Sequence, residues 1–136
     1  MVASNGKNGI IRQVVPLAIQ SRQVRGIPVL DLKGSLTLGP GIAEFEREAR
    51  RALNEYRPSR LLLNFNGLAQ IDSSGLGEVI SIYGAAADAG CALAVVGANS
   101  SVRHLMQITR IDEMVGLYED EASALLENVA KAQGPH

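Results

Sequence analysis

The chain has 136 residues and a formal net charge of −1, and 46% of its residues are hydrophobic against 20% charged. This balance fits one folded domain and excludes a disordered chain. The even charge and an aromatic content of only 4% also argue against nucleic-acid binding, which depends on basic surfaces and stacking side chains. No apolar run approaches the roughly 20 residues that cross a bilayer, so we expect a cytoplasmic protein without membrane insertion.

The two ends of the chain and its single cysteine give further information about the domain boundaries and the possible sites. Residues 1–14 are polar and contain no acid, which predicts a flexible N-terminal arm before a domain at 15–130 and a short C-terminal tail at 131–136. The single cysteine, Cys91, lies in an apolar run, where a buried structural thiol is the ordinary interpretation. Neither histidine has the spacing of a metal ligand, so we expect no metal and no cofactor.

The first half of the chain predicts a hairpin, a helix and a strand. Two β-rich runs are separated by Arg25-Gly26, which indicates a hairpin. Pro40 is typical of a helix start, and apolar residues then recur at helical spacing. A nearly continuous apolar run follows, as expected for a strand that is covered on both faces. The predicted ranges are 17–24 and 27–32 for the hairpin, 42–56 for the helix and 60–65 for the strand.

The second half alternates helices and strands. We predict helices at 76–88, 102–109 and 122–129, with strands at 92–96 and 115–118. The whole order is β-β-α-β-α-β-α-β-α. Strands joined by helices imply parallel pairing with right-handed crossovers. The sequence therefore predicts an α/β fold with a mixed, mostly parallel sheet of about five strands and four helices.

The segment between the strand at 60–65 and the helix at 76–88 is the leading candidate for a functional site. It contains Asp72, Ser73, Ser74 and Gly75, and it would lie beyond the carboxyl end of a parallel strand, where such folds place functional groups. Aspartate and serine are also ordinary helix N-caps. One cap needs one such residue, and three are present, which favours a functional loop.

Tests for enzymatic motifs fail along this segment. The third glycine of a dinucleotide fingerprint would fall at Ile80, and no stretch completes a Walker A loop. Neither Ser73 nor Ser74 has the flanking glycines of a nucleophile elbow. His104, in a polar stretch, is typical of a surface residue. We therefore expect no catalytic residues, and a serine at a helix N-terminus instead suggests a phosphorylation switch, because the positive helix end stabilises a phosphate.

The segment at 61–77 resembles the signature of the STAS domain, especially that of anti-sigma factor antagonists in bacterial partner switching. The segments at 90–97 and 102–111 are similar to the family's later strand and helix. The resemblance spans about residues 15–130.

This resemblance implies a phosphorylated serine at Ser73, with Asp72, Ser74 and Gly75 in supporting positions. The implied partner is an anti-sigma factor that is also a serine kinase. The unphosphorylated antagonist binds this kinase, and the sigma factor is freed. Phosphorylation of the antagonist releases the kinase, and a PP2C-type phosphatase then removes the phosphate from the antagonist. A monomer or weak homodimer without catalysis of its own is expected.

One position departs from the family pattern, and it lies next to the predicted partner surface. Thr37 stands where the family has aspartate, after Gly34-Ser35-Leu36. We predict that Leu36, Thr37, Gly77 and Glu78 contact the partner. Glu78 is placed on the side of the helix away from a core stripe of Leu76, Val79, Ile80 and Tyr83. The alternative is a STAS scaffold, or a regulatory subunit of a stressosome-like or lipid-transport assembly.

Overall fold

The structure is a computed structural model that describes residues 15–126. The predicted N-terminal arm, the C-terminal tail and the end of the last predicted helix, including Val129, lie outside the described residues.

The described residues form one five-stranded sheet whose strands lie in chain order. The two hairpin strands are antiparallel, and every later pair is parallel. The hairpin turn is Arg25-Gly26, and both of its residues have positive φ. The mixed, mostly parallel sheet is therefore confirmed. The strands are β1 (Ala18–Val24), β2 (Ile27–Leu36), β3 (Arg60–Ile71), β4 (Ala92–Val96) and β5 (Gly116–Tyr118).

Three helices lie on one face of this sheet. They are α1 (Pro40–Tyr56), α2 (Ser73–Asp88) and α3 (Ser100–Ile108), with a 3-10 turn at Ile111–Glu113 after the last. Right-handed crossovers between adjacent parallel strands carry each helix to the same side. Residues 121–126 are helical too, and we call them α4. Ala124 of α4 packs with Val29 and Leu62 on the opposite face.

The core confirms that the central strands are covered on both sides. Leu61 and Leu63 face the three-helix side, whereas Leu62, between them, faces α4, and all three are fully buried. This alternation follows from the two-residue period of a strand. The apolar run that predicted β3 thus reflects two packed faces. Cys91 is buried as predicted.

Two strands are longer than the sequence predicts. β2 continues to Leu36 and β3 to Ile71, so the first part of the predicted loop, residues 66–71, is strand. Register shifts between β2 and β3 let pairing continue past the end of the apolar run, as a β-bulge does. The helix α2 correspondingly begins at Ser73, three residues earlier than predicted. The connection between β3 and α2 is therefore Asp72 alone.

The predicted core stripe of α2 is wrong at Ile80, whose side chain is 43% exposed. Ile82 is fully buried in its place. The buried stripe is Leu76, Val79, Ile82 and Ala86, and residues three or four apart share one helix face. Ile80 lies one residue beyond Val79, about 100° around the helix, and so faces outward.

The two isoleucines of α2 provide a matched test of this packing. Ile82→Ala should lower the free energy of unfolding by about 2–5 kcal/mol, because it leaves a cavity in a close-packed core. Ile80→Ala should change it by less than about 1 kcal/mol, because its side chain is already partly in water. Urea denaturation measures both values. Equal losses would contradict the orientation of α2.

Candidate functional site

Two loops meet at the carboxyl edge of the sheet. β2 and β3 are parallel neighbours, and Leu36 pairs with Ile71 at their ends. The backbone N–H of Asp72 donates to the carbonyl oxygen of Leu36 across 3.4 Å. The segment after β2 and the start of α2 therefore emerge side by side.

Asp72 joins these two loops through a single carboxylate. Its Oδ1 accepts a hydrogen bond of 2.9 Å from the Gly75 N–H and caps α2. Its Oδ2 accepts one of 2.9 Å from the Leu38 N–H in the neighbouring loop. Burial alone raises the pKa of Asp72, but the backbone N–H groups that it accepts from outweigh this effect and hold its pKa below the usual value. The carboxylate is therefore charged at neutral pH, when it binds these donors most strongly.

Gly75 allows α2 to approach the end of β2 closely. A Cβ at this position would lie 2.2 Å from the Leu36 carbonyl oxygen and 2.7 Å from Cγ1 of Ile71. The position therefore admits no side chain without movement of the backbone. Gly77 is different, because a Cβ there would meet no atom within 4 Å.

Ser73 is the first residue of α2, directly after the Asp72 cap, and it is exposed. Ser74 is half-buried. The first turn of a helix leaves backbone N–H groups free and carries the positive end of the helix dipole. A phosphate on the Ser73 hydroxyl would thus lie where a helix tolerates negative charge.

The structure revises the predicted partner surface at Leu36. Because β2 continues through Leu36, its side chain alternates inward and is fully buried in the core. Thr37 is half-buried. Leu38 is 80% exposed and is held beside Asp72, yet sequence reasoning did not single it out. A large apolar residue directly before a Gly-Pro turn was the available signal.

The orientation predicted for Glu78 is also corrected. Glu78 is half-buried, and its Oε2 is buried without a hydrogen-bond partner among the described residues. Burial, together with the nearby charge of Glu46 on α1, raises the pKa of Glu78, and Arg50 of α1 opposes this. Glu78 therefore faces α1. The outward residues around the serine are Leu38, Ser73, Gly77 and Ile80, and we call them the Ser73 face.

The remaining chemistry at this edge is sparse in the part of the chain that is described. Residues 15–126 contain no group of three or more His, Cys, Asp or Glu placed to hold a metal. Burial raises the pKa of the Cys91 thiol to about 11, so the thiolate form that reacts is scarce at neutral pH. His104 is exposed, as predicted. None of the described helices has the length and apolar character required to cross a membrane. A hydroxyl, a capped helix end and exposed apolar side chains suit protein binding.

A family model for the STAS domain matches residues 18–124. The chain belongs to the STAS domain family. It is 26% identical over 112 residues to an anti-sigma F factor antagonist of Paenibacillus polymyxa, a match that covers 82% of this chain and 94% of the relative.

Two solved structures share the fold. An anti-sigma factor antagonist of Mycobacterium paratuberculosis superposes with a TM-score of 0.71 at 18% identity, covering 82% of this chain and 92% of that one. The Bacillus cell fate determinant SpoIIAA, in its phosphorylated form, superposes with a TM-score of 0.63 at 18% identity, covering 82% of this chain and 99% of that one. The α/β architecture predicted from sequence is thus the STAS fold.

We expect Asp72→Ala to lower the free energy of unfolding by about 1–2 kcal/mol at neutral pH, since it removes a helix cap. The pKa of Asp72 is lowered in the folded state from 3.8. Its stabilisation is therefore present above that value and is lost as the pH falls through the lower folded pKa. The gap in stability between wild type and variant should narrow on acidification below about pH 4. Denaturant unfolding across pH measures it, and a constant gap would contradict the charged cap.

The two glycines give a second test. Gly75→Ala should destabilise the fold by at least about 1–3 kcal/mol, because the new Cβ overlaps backbone atoms. Gly77→Ala should raise stability by up to about 1 kcal/mol, because alanine is the better helix former and meets open space. Thermal melts compare them. A stabilising Gly75→Ala would show that α2 does not need this close approach.

Proposed function

We propose that the chain is an anti-sigma factor antagonist that works as a phosphorylatable protein-interaction switch. In this proposal it binds an anti-sigma factor with serine kinase activity through the Ser73 face, and the sigma factor is freed. Phosphorylation of Ser73 releases the kinase, and a PP2C-type phosphatase restores the free hydroxyl. The chain has no catalysis of its own and acts in the cytoplasm as a monomer or weak homodimer.

The observation that carries this proposal is the setting of Ser73 in a STAS domain. The serine is exposed at the first position of a helix whose cap, Asp72, also holds the neighbouring loop. The curated relative is an anti-sigma F factor antagonist, and one structure that shares this fold is a phosphorylated form. In this proposal, Ser74 and Gly75 support the position of Ser73 because they form the first turn of α2 with it.

The Ser73 face suggests how a phosphate would act. Leu38 is 80% exposed and Ile80 is 43% exposed, and Gly77 adds no side chain between them. Such a surface suits an apolar partner patch. A phosphate would add about −1.5 to −2 charges beside the Asp72 carboxylate. Desolvating that charge against an apolar partner, or placing it against an acidic one, disfavours the complex.

Thr37 bears on the choice of partner. Aspartate at this position would place a second negative charge in the loop that Asp72 holds, whereas threonine leaves the loop less acidic. The proposed partner surface therefore combines Thr37 with the Ser73 face, and Glu78 is its recessed border toward α1. We infer that this change alters which kinase is recognised and has little effect on the fold.

Three serine variants test the switch. Ser73→Ala should keep partner binding and block release. Ser73→Asp should weaken binding about tenfold, equivalent to about 1.4 kcal/mol, while stability changes little, because an acid suits the first turn of a helix. Ser100→Asp is the matched control, because Ser100 is the exposed first residue of α3 behind its own cap, Asn99. Titration calorimetry with the cognate kinase and phosphopeptide mapping give the readouts.

The same experiments separate the proposed switch from the alternative role. Phosphate only at Thr37 or Ser74 would overturn the assignment of Ser73. Normal binding by Ser73→Asp would exclude charge as the means of release. A partner whose footprint avoids the Ser73 face would favour the scaffold or transport-subunit alternative.

A further inference from the structure

A cleft of about 680 Å³ lies between the hairpin turn, the start of β3 and α4. Its volume is in the roughly 300–1,000 Å³ range of small-molecule sites. It lies at the amino edge of the sheet, where β2 and β3 begin. The cleft is therefore at the opposite edge from the Ser73 face. We call it the Arg25 cleft. It is lined by Val24, Arg25, Gly26, Ile27, Ser59, Arg60, Glu121, Ala122, Leu125 and Leu126.

The lining combines aliphatic side chains with an excess of positive charge. Arg60 donates to the carbonyl oxygen of Leu125 across 3.2 Å, which leaves most of its N–H groups free. Among residues 15–126, neither Arg25 nor Arg60 forms an ion pair with a carboxylate. Glu121 is the one acid among the lining residues that the structure describes, and it is paired with Arg22. The cleft thus favours an anion.

The backbone at Arg25 has an unusual conformation for a long side chain. Arg25 has φ 54 and Gly26 has φ 80, so both turn residues are left-handed. A two-residue hairpin turn of this kind prefers Asn, Asp or Gly at its first position. A long side chain there is strained, at a cost of roughly 1 kcal/mol. Arg57 and Arg110 are left-handed as well, so this conformation alone assigns no role to Arg25, whereas its place in the lining of the cleft does.

We propose that the Arg25 cleft binds a long-chain fatty acid, with the carboxylate at Arg25 and Arg60 and the alkyl chain against Val24, Ile27 and the leucines of α4. None of the described lining residues is aromatic, so none offers a ring on which a nucleobase could stack, which disfavours a nucleotide. Guanidinium groups bind carboxylates through paired hydrogen bonds. The site is separate from the Ser73 face, so it does not rest on the proposed switch.

Titration calorimetry of the full chain with myristate tests this site. Arg25→Gly should weaken binding at least fivefold while the protein stays folded, because glycine adopts a left-handed conformation without strain. Arg57→Gly is the matched control: Arg57 is also left-handed, with φ 43, and does not line the cleft. It should bind myristate as wild type does. Leu126→Ser, at a side chain that is 74% exposed, should weaken binding because it removes an apolar contact to the alkyl chain without adding a charge.

Inorganic phosphate, which has no alkyl chain, is the second probe and should not compete with myristate at equal concentration. The proposal is overturned if the full chain does not bind myristate, including the case in which residues 127–136 occupy the cleft. It is also overturned if Arg25→Gly and Arg57→Gly bind alike, or if phosphate competes as well as myristate does.

Discussion

The candidate site depends on the carboxylate of Asp72. One oxygen caps α2 and the other holds the backbone of Leu38, so the start of a helix and the loop after a different strand share one charged acceptor. Hydrogen bonds to a charged acceptor are stronger than those to a neutral one, so the same carboxylate both caps the helix and fixes the neighbouring loop. Gly75 makes this geometry possible by letting α2 approach Leu36. Ser73 lies between these fixed points, so its hydroxyl is exposed on rigid backbone.

Asn99 repeats this arrangement one strand further along the sheet. Its Oδ1 accepts from the Val102 N–H and caps α3, and its Nδ2 donates to the carbonyl oxygens of Leu68 and Ala69 at 3.2 Å each. An amide can donate as well as accept, whereas the ionised carboxylate of Asp72 only accepts. Asn99 therefore holds strand carbonyls, and Asp72 holds a loop N–H. At this edge of the sheet, a carboxylate caps α2 and an amide caps α3, and each side chain also binds a neighbouring segment.

Sequence reasoning was most successful where periodicity is strong. It predicted the element order, the parallel pairing of β2 with β3 and the burial of Leu61–Leu63, because apolar spacing carries that information. Its predictions were wrong where contacts between distant parts of the chain determine the structure. The register shifts that lengthen β2 and bury Leu36 leave no local pattern, and the outward turn of Ile80 depends on how α2 lies against the sheet. Glu78 shows the same limit, because its environment comes from α1, a distant part of the chain.

The order of the strands has a consequence for how the chain reaches its fold. Every strand in the described part of the chain pairs with the strand that precedes or follows it in sequence, so no strand has to be inserted between two that are already paired. The hairpin pairs residues that are close in sequence, such as Val24 with Ile27. The parallel pairs join residues on either side of a helix, such as Val29 with Leu62, and such non-local pairing forms more slowly. The hairpin of β1 and β2 can form first, and each βα unit can then add to a finished edge. Such growth matches the direction of synthesis on the ribosome, where N-terminal segments emerge first.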